Sequence, residues 1–104
     1  MTLSRLQRYI LTETHGSPRQ RCPRRQFKAF YNQAKVKPKD PDNVITRSLE
    51  RLIDKELLVG FGRRTPHKWF IDEVRLTAKG RRTARALLGQ QQQFAFNTKR
   101  AKSL

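Results

Sequence analysis

Residues of the types that do covalent or metal chemistry are few in this 104-residue chain, and their spacing argues against it. His15 and His67 stand far apart, with no carboxylate at a spacing that suggests a catalytic pair. One cysteine and two scattered histidines do not make a zinc site. Asp72 and Glu73 are adjacent on a stretch that reads as a strand, where two acids are more simply a solvated face than a metal site. Cys22 lies among Arg19, Arg21, Arg24 and Arg25, cations that would lower a thiol pKa. It has no visible base or resolving cysteine, so a redox-sensing thiol and an inert loop cysteine both stay open. The expectation is a chain that is not an enzyme and takes no cofactor.

The abundant chemistry is positive charge. Lys and Arg number 24 against 8 Asp and Glu, a net charge of +16. Arg19 to Lys39 holds eight bases and no acid, Asp40 to Gly62 five acids against three bases, and Arg63 to Arg85 eight bases against Asp72 and Glu73. Two basic bands around a mixed segment suit a surface that straddles a polyanion. Without one, so many unpaired bases repel one another and weaken the fold.

A folded frame must position these charges. Leu, Ile, Val and Phe total 25 residues, above the roughly 20% floor below which high net charge means disorder. The length suits one domain. No apolar run approaches a membrane span, no signal-peptide pattern opens the chain, and a lone cysteine forms no internal disulfide. These features predict a cytoplasmic, nucleoid-associated protein.

Thr2 to His15 reads as a helix with a capping box at Ser4 and Gln7, Leu3, Leu6 and Ile10 on one face, and Gly16 as a left-handed cap before Ser17-Pro18. A second helix is predicted from Pro23 to Ala34, with Phe27, Phe30, Tyr31 and Ala34 as its core stripe. After a basic connector, Lys35 to Lys39, a third starts with Asp40 as N-cap and Pro41 as first residue. Its apolar face is Ile45, Leu49, Leu52 and Ile53, continuing to Leu57. Opposite lie Asn43, Arg47, Glu50, Arg51 and Asp54, with Thr46 at the margin.

Leu58 to Gly62 and Trp69 to Leu76 read as strands joined by a basic turn, Arg63 to Lys68. Thr77 caps a last helix to about Leu88, with Ala84, Leu87 and Leu88 inward and Gly80 tolerated in its first turns. No internal repeat is present. Residues 1–89 form the predicted domain. Residues 90–104, Gln-rich and then basic, read as a frayed or disordered tail with Phe94 and Phe96 as apolar anchors. The predicted class is α+β, mostly helical, in the order α-α-α-β-β-α.

A helix pair followed by a basic hairpin is the winged helix-turn-helix arrangement. Ile45 to Leu58 resembles the recognition helix and following turn of bacterial and archaeal winged-helix regulators of the MarR and PadR types, and Val74 to Arg81 resembles the strand-to-helix junction after their wing. The resemblance covers residues 3 to 88. Two departures stand out: Glu56 occupies a turn position that usually carries Gly, and the Lys35–Lys39 link is longer than the usual tight turn.

On that resemblance, helix 41–55 reads the major groove of double-stranded DNA and wing 62–69 lies on the minor groove or backbone. Arg47 is the first candidate base reader, since a guanidinium bonds bidentately to guanine; Asn43 suits adenine, Thr46 a thymine methyl or phosphate, and Arg51 is a further candidate. An arginine paired with Glu50 or Asp54 is the plainer alternative for Arg47. Arg24, Arg25, Lys28, Lys35 and Lys37 are the expected phosphate clamps, and Arg63, Arg64, His67 and Lys68 the wing contacts. The resemblance also implies a homodimer paired through the first and last helices, to which Tyr9, Leu11, Leu87, Leu88, Phe94 and Phe96 could contribute.

The rival class is a basic winged-helix RNA-binding or ribosomal component, some of which share a similar Leu-Thr-x-x-Gly-Arg ending. A replication or plasmid-maintenance factor on DNA is a further alternative.

Overall fold

The structure is a computed structural model that describes residues 2–32 and 37–89. The predicted tail, Ala34 and Lys35 lie outside the described residues. Helix α1 (Arg5–His15) opens as expected, with the Ser4 side chain accepting from the Gln7 amide at 3.1 Å and the Gln7 side chain accepting from the Ser4 amide at 2.9 Å. It buries Leu6, Ile10 and Leu11. Leu11, expected among the dimer contacts, is a core residue with no exposed surface.

The exit from α1 differs from the prediction. Gly16 is right-handed, at φ −82°, and the left-handed residues are Arg19 and Gln20, at φ 56° and 54°. That turn swings the chain into a strand that sequence reading did not foresee, β1 (Arg21–Pro23). Only Cys22 of β1 is buried, so its alternation was too short to register. The segment predicted as the second α-helix is a 3-10 helix, Arg24–Asn32, shortened at its start by β1. Phe27 and Tyr31 are buried as expected, and Phe30 packs on the Tyr9 ring at 5.3 Å.

Helix α2 (Pro41–Asp54) has the predicted start, with the Asp40 side chain accepting from the Asn43 amide at 3.2 Å. Ile45, Leu49 and Leu52 form its buried side. The helix closes in a Schellman motif: the Leu57 amide donates to Leu52 O and the Glu56 amide to Ile53 O, at 3.0 and 2.9 Å. Glu56 takes the left-handed position of that motif, at φ 63°, where a glycine would sit without strain.

Strands β2 (Leu58–Arg64) and β3 (Trp69–Leu76) form the hairpin. The predicted six-residue turn contracts to residues 65–68, because Arg63 and Arg64 stay in the ladder opposite Phe70 and Trp69. The Thr65 amide donates to Lys68 O at 2.7 Å and the Thr65 hydroxyl accepts from the Lys68 amide at 3.0 Å. β3 is central in an antiparallel sheet of order β1-β3-β2.

Phe61 pairs with Glu73 but Gly62 with Ile71, so Asp72 is an extra residue in β3. This bulge lets the buried side chains step from Ile71 to Val74 without turning either outward. A Cβ on Gly62 would lie 1.8 Å from Phe70 O, so the hairpin closes only over glycine.

Helix α3 covers residues 78–89. Thr77 caps it, accepting from the Gly80 amide at 2.9 Å, and its own hydroxyl donates to Glu56 O at 2.6 Å. Gly80 is more than tolerated there: a Cβ would lie 2.0 Å from Leu57 O. Ala84 is fully buried and Leu87 packs against the single core that all three layers share. Among the described residues no helix is long and apolar enough to cross a membrane.

Candidate nucleic-acid interface

The outer face of α2 is as the helical period requires. Asn43, Arg47, Glu50, Arg51 and Asp54 are exposed, opposite Ile45, Leu49 and Leu52. Among the described residues the ion pairs are Arg21–Glu73 and Lys28–Asp42, so Arg47 and Arg51 pair with neither Glu50 nor Asp54. Their guanidinium groups stand free in water. Val44, 36% exposed beside Asn43 and Arg47, adds an apolar surface that sequence reading did not single out. Its branched side chain breaks the polar face, and that was the available signal.

Between the first turns of α2, the start of the 3-10 helix and the open edge of β3 lies a cleft of about 450 Å³. Arg25, Lys28, Asn43, Trp69, Phe70 and Asp72 are among its lining residues. The edge is open because β1 pairs with β3 only as far as Glu73, which leaves Ile71 O without a strand partner.

Arg24 fills that gap. Its guanidinium donates to Ile71 O at 3.2 Å, to Asp42 O at 2.9 Å and to the Thr46 hydroxyl at 2.7 Å. Expected among the phosphate clamps, Arg24 is committed instead to fastening the hairpin to α2. Thr46, expected to reach a base or phosphate, is half-buried with its oxygen engaged by Arg24. Arg25 and Lys37 are exposed, and Lys28 shares Asp42 at 3.3 Å with both side chains largely in solvent.

The four basic hairpin residues Arg63, Arg64, His67 and Lys68 are exposed. Three of them lie over aromatic rings. Arg64 sits 4.2 Å from the Trp69 ring centre, and Arg63 and Lys68 sit 5.7 and 5.0 Å from that of Phe70. Trp69 is seated where Gly60 has no side chain: a Cβ there would lie 2.8 Å from the Ile53 Cδ1 and 2.9 Å from the indole. The indole therefore bridges the hairpin to α2, while Phe70 remains 39% exposed. Sequence reading named the cations and missed these rings, although the Lys68-Trp69-Phe70 run interleaves charge with aromatics.

Cys22 corrects the expectation of a depressed thiol pKa. Its side chain is fully buried and donates to Gln26 Oε1 at 2.8 Å. Burial pushes the thiol up from its ordinary value, opposed by a hydrogen bond with Ser17 and reinforced by the charges of Glu13 and Glu73. The nearby arginines point elsewhere, Arg21 to Glu73 and Arg24 to α2. Of the residues named for dimer contact, Tyr9 packs on Phe30, Leu87 and Leu88 are half-buried, and Phe94 and Phe96 lie outside the described residues.

No family model matches the sequence, and no curated protein matches it by sequence. Solved structures do resemble it in fold. The adhesin competence repressor AdcR of Streptococcus pyogenes superposes with a TM-score of 0.67 at 14% identity, over 96% of this chain and 66% of that one. ZitR of Lactococcus lactis, in a doubly substituted apo form, gives 0.63 at 16% identity, over 94% of this chain and 65% of its own. A second structure of that ZitR variant gives 0.64 at 15%, over all of this chain and 64% of its own. The chain thus spans just under two thirds of the length of these proteins. At such identities the likeness is one of architecture: the chain has the winged-helix fold, with the β2–β3 hairpin as its wing.

Proposed function

We propose that the chain is a sequence-specific double-stranded DNA-binding protein, a transcriptional regulator of the MarR/PadR kind, and that it is not an enzyme. The observation that carries this reading is the unpaired state of Arg47 and Arg51 on an exposed helix face, flanked by the cations of the cleft and of the wing. A helix of this kind fits the major groove, where Arg47 takes guanine, Asn43 takes adenine and Val44 meets a thymine methyl. Arg51 extends the same row. Arg25, Lys28 and Lys37 hold phosphates beside it, with the Lys28–Asp42 pair opening to release the ammonium.

The wing places Arg63, Arg64, His67 and Lys68 on the minor groove or backbone. The rings beneath Arg63, Arg64 and Lys68 keep these side chains extended, so less freedom is lost on binding. The repressor named among the similar structures supports regulation as the role. We read the functional unit as a homodimer on a two-fold site, as such regulators usually are.

Fluorescence anisotropy on a labelled duplex tests the binding. With six to ten phosphates neutralised, affinity falls by about 10³–10⁵ between 50 and 200 mM salt. Affinity that ignores salt contradicts the reading. An RNA-bound component is the second reading, favoured by the cations that lie away from α2 and the wing.

A further inference from the structure

The net charge of +16 is not carried by the reading face. Helix α2 has three acids, Asp42, Glu50 and Asp54, against Arg47 and Arg51, and the cleft adds Asp40 and Asp72. A denser concentration of cations lies on α3. Lys79, Arg81, Arg82 and Arg85 are all exposed, and residues 78–89 contain no acid.

The packing of α3 fixes which way these side chains face. Gly80 abuts Leu57 O, Ala84 is fully buried and Leu87 meets the core. Exposed positions therefore recur at 78–79, 81–82 and 85–86, on the side away from the core. Arg85 lies four residues from Arg81 and three from Arg82, spacings at which like charges repel along a helix. Among the described residues none of the three enters an ion pair. Lys79 alone has a partner, donating to Lys55 O at 3.2 Å.

Helix α3 also begins at the opposite end of the hairpin from the wing cations. Leu58 pairs with Leu76 at the base, and Arg64 with Trp69 at the tip. The extended length of β3 separates them by about 23 Å. A phosphate path that follows the wing tip and the first turns of α2 leaves α3 unsatisfied.

We propose that the outer face of α3 is a second polyanion-binding surface, which holds the backbone of a second DNA segment so that the protein bridges two duplexes. This rests on the reading of α2 and the wing as the first DNA site. The cationic row carries no donor-acceptor pattern suited to base edges, so the second contact is blind to sequence. A second copy of the chain is a poor occupant of this outer face, since setting Arg81, Arg82 and Arg85 against themselves leaves like charges opposed. The homodimer would have to form through other surfaces, such as the half-buried Leu87 and Leu88.

The test is capture of a labelled duplex by a surface-bound duplex through the full chain, beside anisotropy on one short duplex. It compares wild type with a variant carrying Arg81→Gln, Arg82→Gln and Arg85→Gln together; all three sites are exposed, and thermal unfolding checks the fold. Wild type captures the second duplex. The variant loses capture by roughly tenfold or more, its capture has a salt slope shallower by about three, and it binds one duplex within about threefold of wild type.

Wild type that binds one duplex but captures no second overturns the bridging surface alone. Wild type that binds no duplex overturns both readings. Capture unchanged in the variant, or folded RNA taken up in place of the second duplex, also overturns it. So does a variant that loses bridging together with sedimentation mass, which would assign α3 to self-association.

Discussion

Arg24→Ala should unfasten the wing from α2. The side chain makes bonds of 3.2, 2.9 and 2.7 Å to Ile71 O, Asp42 O and the Thr46 hydroxyl, and so joins β3 to α2 across the cleft. Each such bond contributes about 1 kcal/mol net in a half-exposed setting. Water re-solvates the Asp42 carbonyl in the variant, so the expected loss lies toward the lower end of about 2–3 kcal/mol. For a domain of this size that lowers Tm by about 10–20 °C, readable by circular dichroism. Arg24→Lys should recover less than half, because one ammonium cannot fork between two elements.

A second readout separates this account from a phosphate clamp. The salt slope of DNA binding should change by less than one in Arg24→Ala, whereas Arg25→Ala should reduce it by about one. A Tm within about 2 °C of wild type, or a slope reduced as in Arg25→Ala, would refute the reasoning.

Other substitutions probe the frame. Glu56→Gly should raise stability by about 1 kcal/mol in urea denaturation, because it relieves a left-handed side chain at φ 63°. Gly80→Ala should cost about 3 kcal/mol or prevent folding, since a Cβ there falls 2.0 Å from the Leu57 carbonyl. Cys22 should resist thiol reagents in the native protein and react on unfolding, as its thiol is fully buried and held neutral. Because burial raises that pKa, its contribution to stability is intact below the ordinary thiol value and declines as pH rises past it. Cys22→Ala should lose that part of the alkaline decline in urea titrations.

Helix α2 was legible residue by residue because its signals agree: Asp40 and Pro41 at the start, a four-residue apolar period, and polar residues opposite. The capping box of α1 and the Thr77 cap of α3 were equally local, since each is written within four residues. β1 was not legible because three residues hold a single inward side chain, and its strand character comes from β3 beside it. The bulge at Asp72 left a trace in the three-residue step from Ile71 to Val74, which an alternating pattern does not allow.

Charge type was plain in the sequence, but its assignment was not. Arg24 and Arg25 are neighbours with the same chemistry, and only the open edge of β3 tells one from the other. Gly60, Gly62 and Gly80 read as ordinary punctuation because their neighbours are contributed from elsewhere in the chain. The cations on α3 were counted in the total, yet their separation from the wing appears only once the hairpin is folded.

The central claim is that this winged helix reads DNA sequence through the free face of α2. Selection from random duplex DNA at about 150 mM salt, run for wild type and Arg47→Ala in parallel, tests it most directly. The account predicts an enriched motif with two-fold symmetry that relaxes at one position per half-site in the variant. Tight, steeply salt-dependent binding with no enriched motif would contradict it, and would mean that the charge acts without sequence readout.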